Sequence, residues 1–377
     1  MTILAVSHLP ARAWTNLLGL LLSYFGAQRG AKVVVFLCAL MVSVLFLGCQ
    51  RASEPVGSSP PIALRGVTMG TTYSIKCWRA AGKLEAKPLQ QAVDVLLKKI
   101  NRQMSTYLPD SELSRFNRAP AGDWFPVSPE TAFVVAQAKK FHKLTDGASD
   151  VTVGPLVRLW HFGPKSGENQ TEVQEPTQAA LRAALQRVGC EYLQVRSDPP
   201  ALKKTRDGLE VDLSSIAKGY AVDAVTELLA GRGIPHSMVE IGGEVRAAGT
   251  RPDGKPWRIG VESPQVETRT VQRVVPLRDS ALATSGDYRI FHRAGGGAYC
   301  HIINPRSGEP LPYRGVAATV LADTCLAADA MATALLVMGS EKGYDWCVQH
   351  EVAALFLARG EQGVQARATP LFQRRIK

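Results

Sequence analysis

The order of apolar and polar positions divides this chain into short elements of both kinds. "KPLQQAVDVLLKKINRQMS" places apolar residues on one helical face, with Pro88 near the start. "SPETAFVVAQAKKFHKLTDG" predicts a second helix, with Ser128 as N-cap, Pro129 in the first helical position and Gly147 past the end. "EPTQAALRAALQRVG" predicts a third, stopped by Gly189. "LEVDLSSIAKGYAVDAVTELLAGRG" reads as a strand to Leu213, a tight turn, and a helix ending at Gly231–Gly233. Alternation predicts a first strand or hairpin in "RGVTMGTTYSIKCW" and two strands around the Gly-Gly bend of "HSMVEIGGEVRAAGT". Further strands fit "WRIGVE", "RVVPL", "ALATSG", "YCHIINP" and "GVAATVLA". A helix over "CLAADAMATALLVM", a short one from Ser340 and a strand at "VAALFLA" follow. Strands and helices mix without regular alternation, which predicts an α+β fold.

One segment breaks the pattern. Asp329 sits in the middle of the apolar run from Cys325 to Met338, with no Lys or Arg nearby along the helix. A carboxylate there costs several kcal/mol unless something pairs with it. Thr333, four residues on, shares its face. Two hard oxygens at this spacing suit Mg²⁺. The alternative is an Asp that caps a backbone amide, with Thr333 bonding back to its own helix. "DLSSIAKGYAVD" (Asp212–Asp223) brings hydroxyls, free amides and Lys218 to a helix start, which suits phosphate; an ordinary serine-capped helix would look the same. His301 follows a strand and precedes an Asn-Pro turn, as a general base or as a structural residue.

The N-terminus carries a different signal. Arg29 and Lys32 precede an apolar run from Val33 to Leu47, then Gly48-Cys49. The run is short for a spanning helix and suits a signal-peptide core. The expectation is a bacterial lipoprotein signal over residues 1–48, a lipidated Pro/Ser-rich tether over 49–63 and a folded body over 64–377. Phe46 stands where Leu is usual in such signals, and an uncleaved anchor helix is the alternative. The chain has 377 residues, 46% of them hydrophobic, and a net charge of +11 that is scattered rather than in blocks. An anionic ligand or a membrane fits that charge, and no nucleic-acid partner is expected. Setting aside Cys38 and Cys49, the cysteines Cys77, Cys190, Cys300, Cys325 and Cys347 show no paired spacing. They are expected to be small core residues rather than a disulfide framework or a zinc site.

Together "MGTTYSI", "MSTYLPDSELSRFN", "GASDVTVGPLVRLWHFG", "VDLSSIAKGYAVD", "GGEVRAAGTRPDGKPWRIGVESP", "TSGDYR", "HIINPRSGEP" and "AADAMATAL" resemble the ApbE family of FAD:protein FMN transferases, in the family's order, from about Val67 to Leu336. The resemblance implies a single T-fold-like α+β domain that takes FAD as substrate with Mg²⁺. It passes FMN to a Thr or Ser hydroxyl of an acceptor protein, such as a membrane redox-pump subunit, and releases AMP. It places Mg²⁺ on Asp329, Thr333 and the Ala217 carbonyl. It places FAD against Met69, Tyr107, Ala148, Ser149, Asp150, Ser214, Tyr220 and Ile303, and makes His301 the base for the acceptor hydroxyl. Ser149 departs from the family's aromatic residue and offers no ring for stacking. The same motifs serve FAD pyrophosphatases, which yield FMN and AMP, and a non-enzymatic flavin-binding lipoprotein is a further alternative. The family's export implies the bacterial cell envelope, with the body in the periplasm on a lipid anchor, at the inner membrane by preference.

Overall fold

The computed structural model describes residues 61–80, 84–162, 175–264, 270–288, 291–294, 297–360 and 363–377. The expected signal segment and nearly all of the tether, Cys49 included, lie outside the described residues. Among the described residues no helix is long and apolar enough to cross a membrane.

Strands β1 (Ile62–Thr68) and β2 (Thr71–Trp78) form a hairpin, the second of the two forms expected of this segment. Its two-residue turn is Met69-Gly70, with φ of 50° and 71°. Two left-handed residues match the twist of paired strands, but Met69 in that region is uncommon. Helix α1 (Ala86–Met104) buries Leu89, Val93, Leu97, Ile100 and Met104, the stripe that its periodicity predicted. Helix α2 (Glu112–Arg118) and strand β3 (Phe125–Pro126) lead to α3 (Pro129–Leu144). Ser128 caps α3 as expected, its side chain accepting from the Thr131 amide. Helices α4 (Gly154–Leu159) and α5 (Gln178–Leu185) follow. Helix α5 ends before the expected stop at Gly189, and a 3₁₀ turn (Cys190–Tyr192) leads into the hairpin β4 (Leu193–Ser197) and β5 (Pro200–Lys204).

The strand expected up to Leu213 does not form. Glu210 makes a single parallel bridge with Val153. The Asn117 side chain instead takes both backbone groups of Val211, donating to its carbonyl and accepting from its amide at 2.8 Å each. A side-chain amide thus does a neighbouring strand's work, and sequence alternation cannot show it.

Helix α6 (Ala217–Gly231) precedes β6 (His236–Ile241) and β7 (Glu244–Ala248). Then come β8 (Trp257–Glu262), β9 (Val271–Leu277), β10 (Ser280–Gly286), β11 (Phe291–Ala294), β12 (Gly297–Ile303), β13 (Pro310–Pro312) and β14 (Val316–Ala322). Helices α7 (Cys325–Met338) and α8 (Ser340–Gln349), strands β15 (Ala353–Gly360) and β16 (Gly363–Ala368), and helix α9 (Pro370–Arg375) complete the described chain.

The main sheet has eight strands in the order β1-β2-β6-β7-β10-β14-β15-β16. Each neighbouring pair is antiparallel. Its centre is covered on both faces, which explains why "VAATVLA" and "AALFLA" are continuous apolar runs rather than alternating ones. Leu321, Leu355 and Leu357 pack with Trp257, Ile259 and Phe372 from the β8–β9 pair and α9. The alternate residues Ala318, Val320, Ala354 and Phe356 pack with Ala328, Met331 and Leu335 of α7. Helix α7 is apolar almost all round because it lies between this sheet and α6. The five cysteines of the described body are free and buried.

Candidate functional site

The site is built where α6 meets α7. Gly219 makes the close approach possible: a Cβ there would stand 2.8 Å from the Asp329 Cβ and would strike the Cys325 carbonyl. Asp223, one turn on, fixes the register. Its carboxylate accepts from the Cys325 and Leu326 amides at 2.9 Å each and pairs with Arg246 at 2.8 Å. The first amides of α7 are thereby satisfied by a neighbouring helix, beside the cap from Thr324.

Asp329 is only 2% exposed. One carboxylate oxygen, Oδ2, accepts from the Gly219 amide at 2.9 Å. The other, Oδ1, faces Lys218 Nζ at 3.7 Å. The partner that is missing along the helix therefore comes from another helix. Lys218 also stands 3.5 Å from Oε1 of Glu244, a buried residue at the start of β7. Burial alone would weaken the Lys218 ammonium, but the two carboxylates outweigh it and hold its proton more tightly than usual. Burial pushes the Glu244 carboxyl up to about 8, against the pull of Lys218. Glu244 Oε2 is buried without a hydrogen-bond partner. Thr333 Oγ1 shares a 3.0 Å hydrogen bond with Ser285 Oγ and lies 3.4 Å from its own helix's Asp329 carbonyl. Both bland arrangements, an amide-capping Asp and a back-bonded Thr, are thus present. They leave Asp329 Oδ1 facing only a long contact to Lys218, and Glu244 Oε2 unmet.

The β1–β2 and β6–β7 turns close over this centre. A Cβ on Gly242 would lie 3.0 Å from Thr71, and 3.4 Å from both Glu244 Oε2 and the Lys218 side chain. Met69, partly buried, sits in the first of these turns. Ala217 opens α6 two residues before Gly219, and Tyr220 follows it. The Tyr220 ring is 6.2 Å from that of Phe133, and burial, with Glu130 and Glu227, pushes its phenol up to about 12.

A second group lies on the segment after α3. Ala148 and Ser149 are buried. Burial pushes the Asp150 carboxyl up, but hydrogen bonds from His142 and Thr152 outweigh it and its pKa is lowered. Asp212 ties this segment to the start of α6: its amide donates to the Val151 carbonyl at 2.7 Å, and its carboxylate accepts from the Ser214 amide at 2.8 Å. The Tyr107 ring is largely exposed, yet burial of its hydroxyl and the Asp212 charge push its phenol up. Asp212 thus links the chain after Asp150 to Ser214, and its charge reaches Tyr107.

His301 is exposed on β12, a strand that α7 also touches. Ile303 is turned into an apolar cluster with Leu156, Trp160 and Leu181, so a ligand would meet this position through its backbone. The sequence reading missed Glu244 altogether. One acid after a Gly-Gly bend carries no signal of burial. Ser285 was visible only as one residue of the expected strand "ALATSG".

The ApbE family model matches residues 69–356. The chain is 43% identical over 338 residues to an FAD:protein FMN transferase of Vibrio cholerae serotype O1, covering 90% of this chain and 98% of that protein. It is 36% identical to the protein of the same name in Haemophilus influenzae, covering 91% of this chain and 98% of that one. The flavin transferase ApbE of Vibrio cholerae, solved as a His-to-Gly variant, superposes with a TM-score of 0.75 at 42% identity, covering 84% of this chain and 99% of that one. The apo flavinyl transferase ApbE of Pseudomonas stutzeri gives 0.76 at 35% identity, covering 85% and 98%. By the extent and order of these matches, and as one α+β domain of the same architecture, the chain belongs to the ApbE family.

Proposed function

We propose that this protein is an Mg²⁺-dependent FAD:protein FMN transferase that moves FMN from FAD to a Thr or Ser hydroxyl of an acceptor protein and releases AMP. The observation that carries the reading is the buried Asp329 carboxylate at the α6–α7 contact, with the Thr333 hydroxyl one turn on along α7 and Ala217 opening α6 two residues before Gly219, whose amide donates to Asp329. An all-oxygen set beside an unmet buried carboxylate oxygen on Glu244 fits a hard, partly hydrated cation. These three residues would hold the ion, which offsets negative charge on the pyrophosphate oxygens when bound.

The chain's own groups supply the rest. Lys218, in the first turn of α6, offers its charge and the helix N-terminus to a phosphate from one side. Met69, Tyr107, the 148–150 segment, Ser214, Tyr220 and the Ile303 backbone line the flavin substrate. Tyr220, held protonated, is a donor. His301 takes the proton from the acceptor hydroxyl as its oxygen bonds to the FMN phosphorus. The bond from that phosphorus to the bridging oxygen breaks, and AMP leaves with the electron pair. Transfer is then positioning plus charge stabilisation.

The test is intact-mass spectrometry of an acceptor domain after incubation with FAD and Mg²⁺. An FMN adduct with one AMP released per adduct supports the reading. FMN and AMP release without any adduct identifies a pyrophosphatase instead. Tight FAD binding without AMP release identifies a flavin-binding protein. A lipid anchor at Cys49, with the body on the periplasmic side, is part of the proposal. It rests on the Val33–Leu47 run and on Gly48-Cys49. Labelled fatty acid on the wild-type chain but not on Cys49→Ser would support it.

A further inference from the structure

A groove of about 670 Å³ is lined among others by His142, Asp150, Gly189 and Arg306. Three metal-ligating side chains from separate segments meet at its edge: His142 near the end of α3, Asp150 in the following loop, and Cys190 opening the 3₁₀ turn. Their ligand atoms all lie within 4.8 Å of one another. We propose that His142, Asp150 and Cys190 bind a soft or borderline divalent cation of the Zn²⁺ class, at a site separate from the all-oxygen set on Asp329.

The donor set is the first argument. Imidazole, carboxylate and thiolate together select zinc-like ions, whereas Mg²⁺ takes oxygen. Spacing is the second. A tetrahedral ion with bonds of about 2.0–2.1 Å to nitrogen and oxygen sets those ligands roughly 3.3 Å apart. His142 Nδ1 and Asp150 Oδ2 are already 3.3 Å apart.

The third argument is that the ligands are locked in place from behind. Asp150 Oδ1 accepts from the Thr152 amide at 2.7 Å and from its hydroxyl at 2.6 Å, which leaves Oδ2 to face His142. Thr152 Oγ1 in turn accepts from the Gly189 amide at 2.8 Å, so the residue before Cys190 is tied to the residue that orients Asp150. Lys139 donates to the Cys190 carbonyl at 2.6 Å and fixes the other side of the turn. Metal sites use outer partners of this kind to aim their ligands.

As the groups stand, His142 Nδ1 lies 3.1 Å from the Ser149 carbonyl and 3.3 Å from Asp150 Oδ2, and the Cys190 thiol sits within ligand reach of both side chains. A cation bound there would release the thiol proton to solvent. Cys190 and the Asp150 side chain are buried, while His142 is half-buried and borders the groove. The groove gives the fourth position to water, the pattern of an open three-ligand site. Sequence spacing did not predict this site, because the ligands are scattered singly along the chain and share no paired-cysteine motif.

Cobalt is the probe. The whole protein is titrated with Co²⁺ in a large excess of Mg²⁺, which fills hard oxygen sites. The expected result is a near-ultraviolet thiolate-to-cobalt band that saturates at one equivalent and is bleached by Zn²⁺. Cys190→Ser should lose the band while its melting profile in the absence of Co²⁺ is kept. His142→Gln, a change at a half-buried position, should weaken Co²⁺ binding by about tenfold or more. The proposal is overturned if the wild-type protein shows no thiolate band at stoichiometric Co²⁺. It is equally overturned if Cys190→Ser keeps the band, or if His142→Gln binds Co²⁺ as tightly as the wild type.

Discussion

Lys218 Nζ stands 3.7 Å from one oxygen of Asp329 and 3.5 Å from Glu244, so one ammonium serves two buried carboxylates on separate elements. Both contacts are long for ion pairs, which suits a group that holds the place of a second cation. Lys218→Met removes the cation that both acidic side chains face. Breaking a buried pair on one side costs on the order of 3 kcal/mol, or several degrees of melting temperature in a chain of this size. The variant should therefore melt early in chelator. Mg²⁺ should raise its melting temperature by more than it raises that of the wild type. Thermal melts with and without Mg²⁺ check this; equal shifts in the two proteins would refute the role given to Lys218.

Gly219 tests whether the α6–α7 contact builds the site. A methyl group there meets the Asp329 Cβ at 2.8 Å and the Cys325 backbone, with no flexible side chain to give way. Gly219→Ala should cost about 1–3 kcal/mol or somewhat more through overpacking. It should also draw Asp329 away from the start of α6, so transfer should fall further than the loss of folded protein explains. Activity per folded molecule, corrected by circular dichroism, is the measurement. A stable, fully active variant would mean the helices tolerate separation.

Much of this architecture was legible in the chain. The α1 stripe and the Ser128 cap carry local signals that the fold keeps. Asp329 was conspicuous because it broke an apolar run, and breaks in a pattern are what a sequence shows best. Its partners were not legible. Lys218 reaches it from another helix, and Glu244 looks like any acid after a bend until the sheet buries it. The strand expected before Leu213 failed for the same kind of reason, since Asn117, distant in sequence, satisfies Val211. His142, Asp150 and Cys190 likewise come together only through the tertiary fold. Local chemistry is written locally, and convergence is not.

Glu244 gives a pH signature with a definite sign. Its carboxyl is raised from 4.5 to about 8, with burial the main cause. A raised carboxyl stabilises the fold in its protonated form. That contribution is fully present below about 4.5 and is lost as pH rises through about 8. In chelator, the wild-type melting temperature should therefore decline as pH rises across that window. Glu244→Gln, which cannot ionise, should show a flatter profile and melt higher than the wild type at the alkaline end. A parallel decline in both proteins would remove Glu244 as the source.

His301 separates binding from transfer. Its side chain is exposed at the end of β12, so its removal opens no cavity in the core. The ligand set proposed on α6 and α7 comes from other elements, and Ile303, two residues on along β12, is anchored by Leu156, Trp160 and Leu181. His301→Ala should therefore bind FAD as the wild type does and melt within a degree or two of it. If His301 takes the proton from the acceptor hydroxyl, transfer should drop by about 10²–10⁴-fold, the usual range for a general base. FAD titration, melting and single-turnover transfer on the same preparation decide the matter. A variant that binds FAD and transfers FMN at the wild-type rate would assign proton removal to another group.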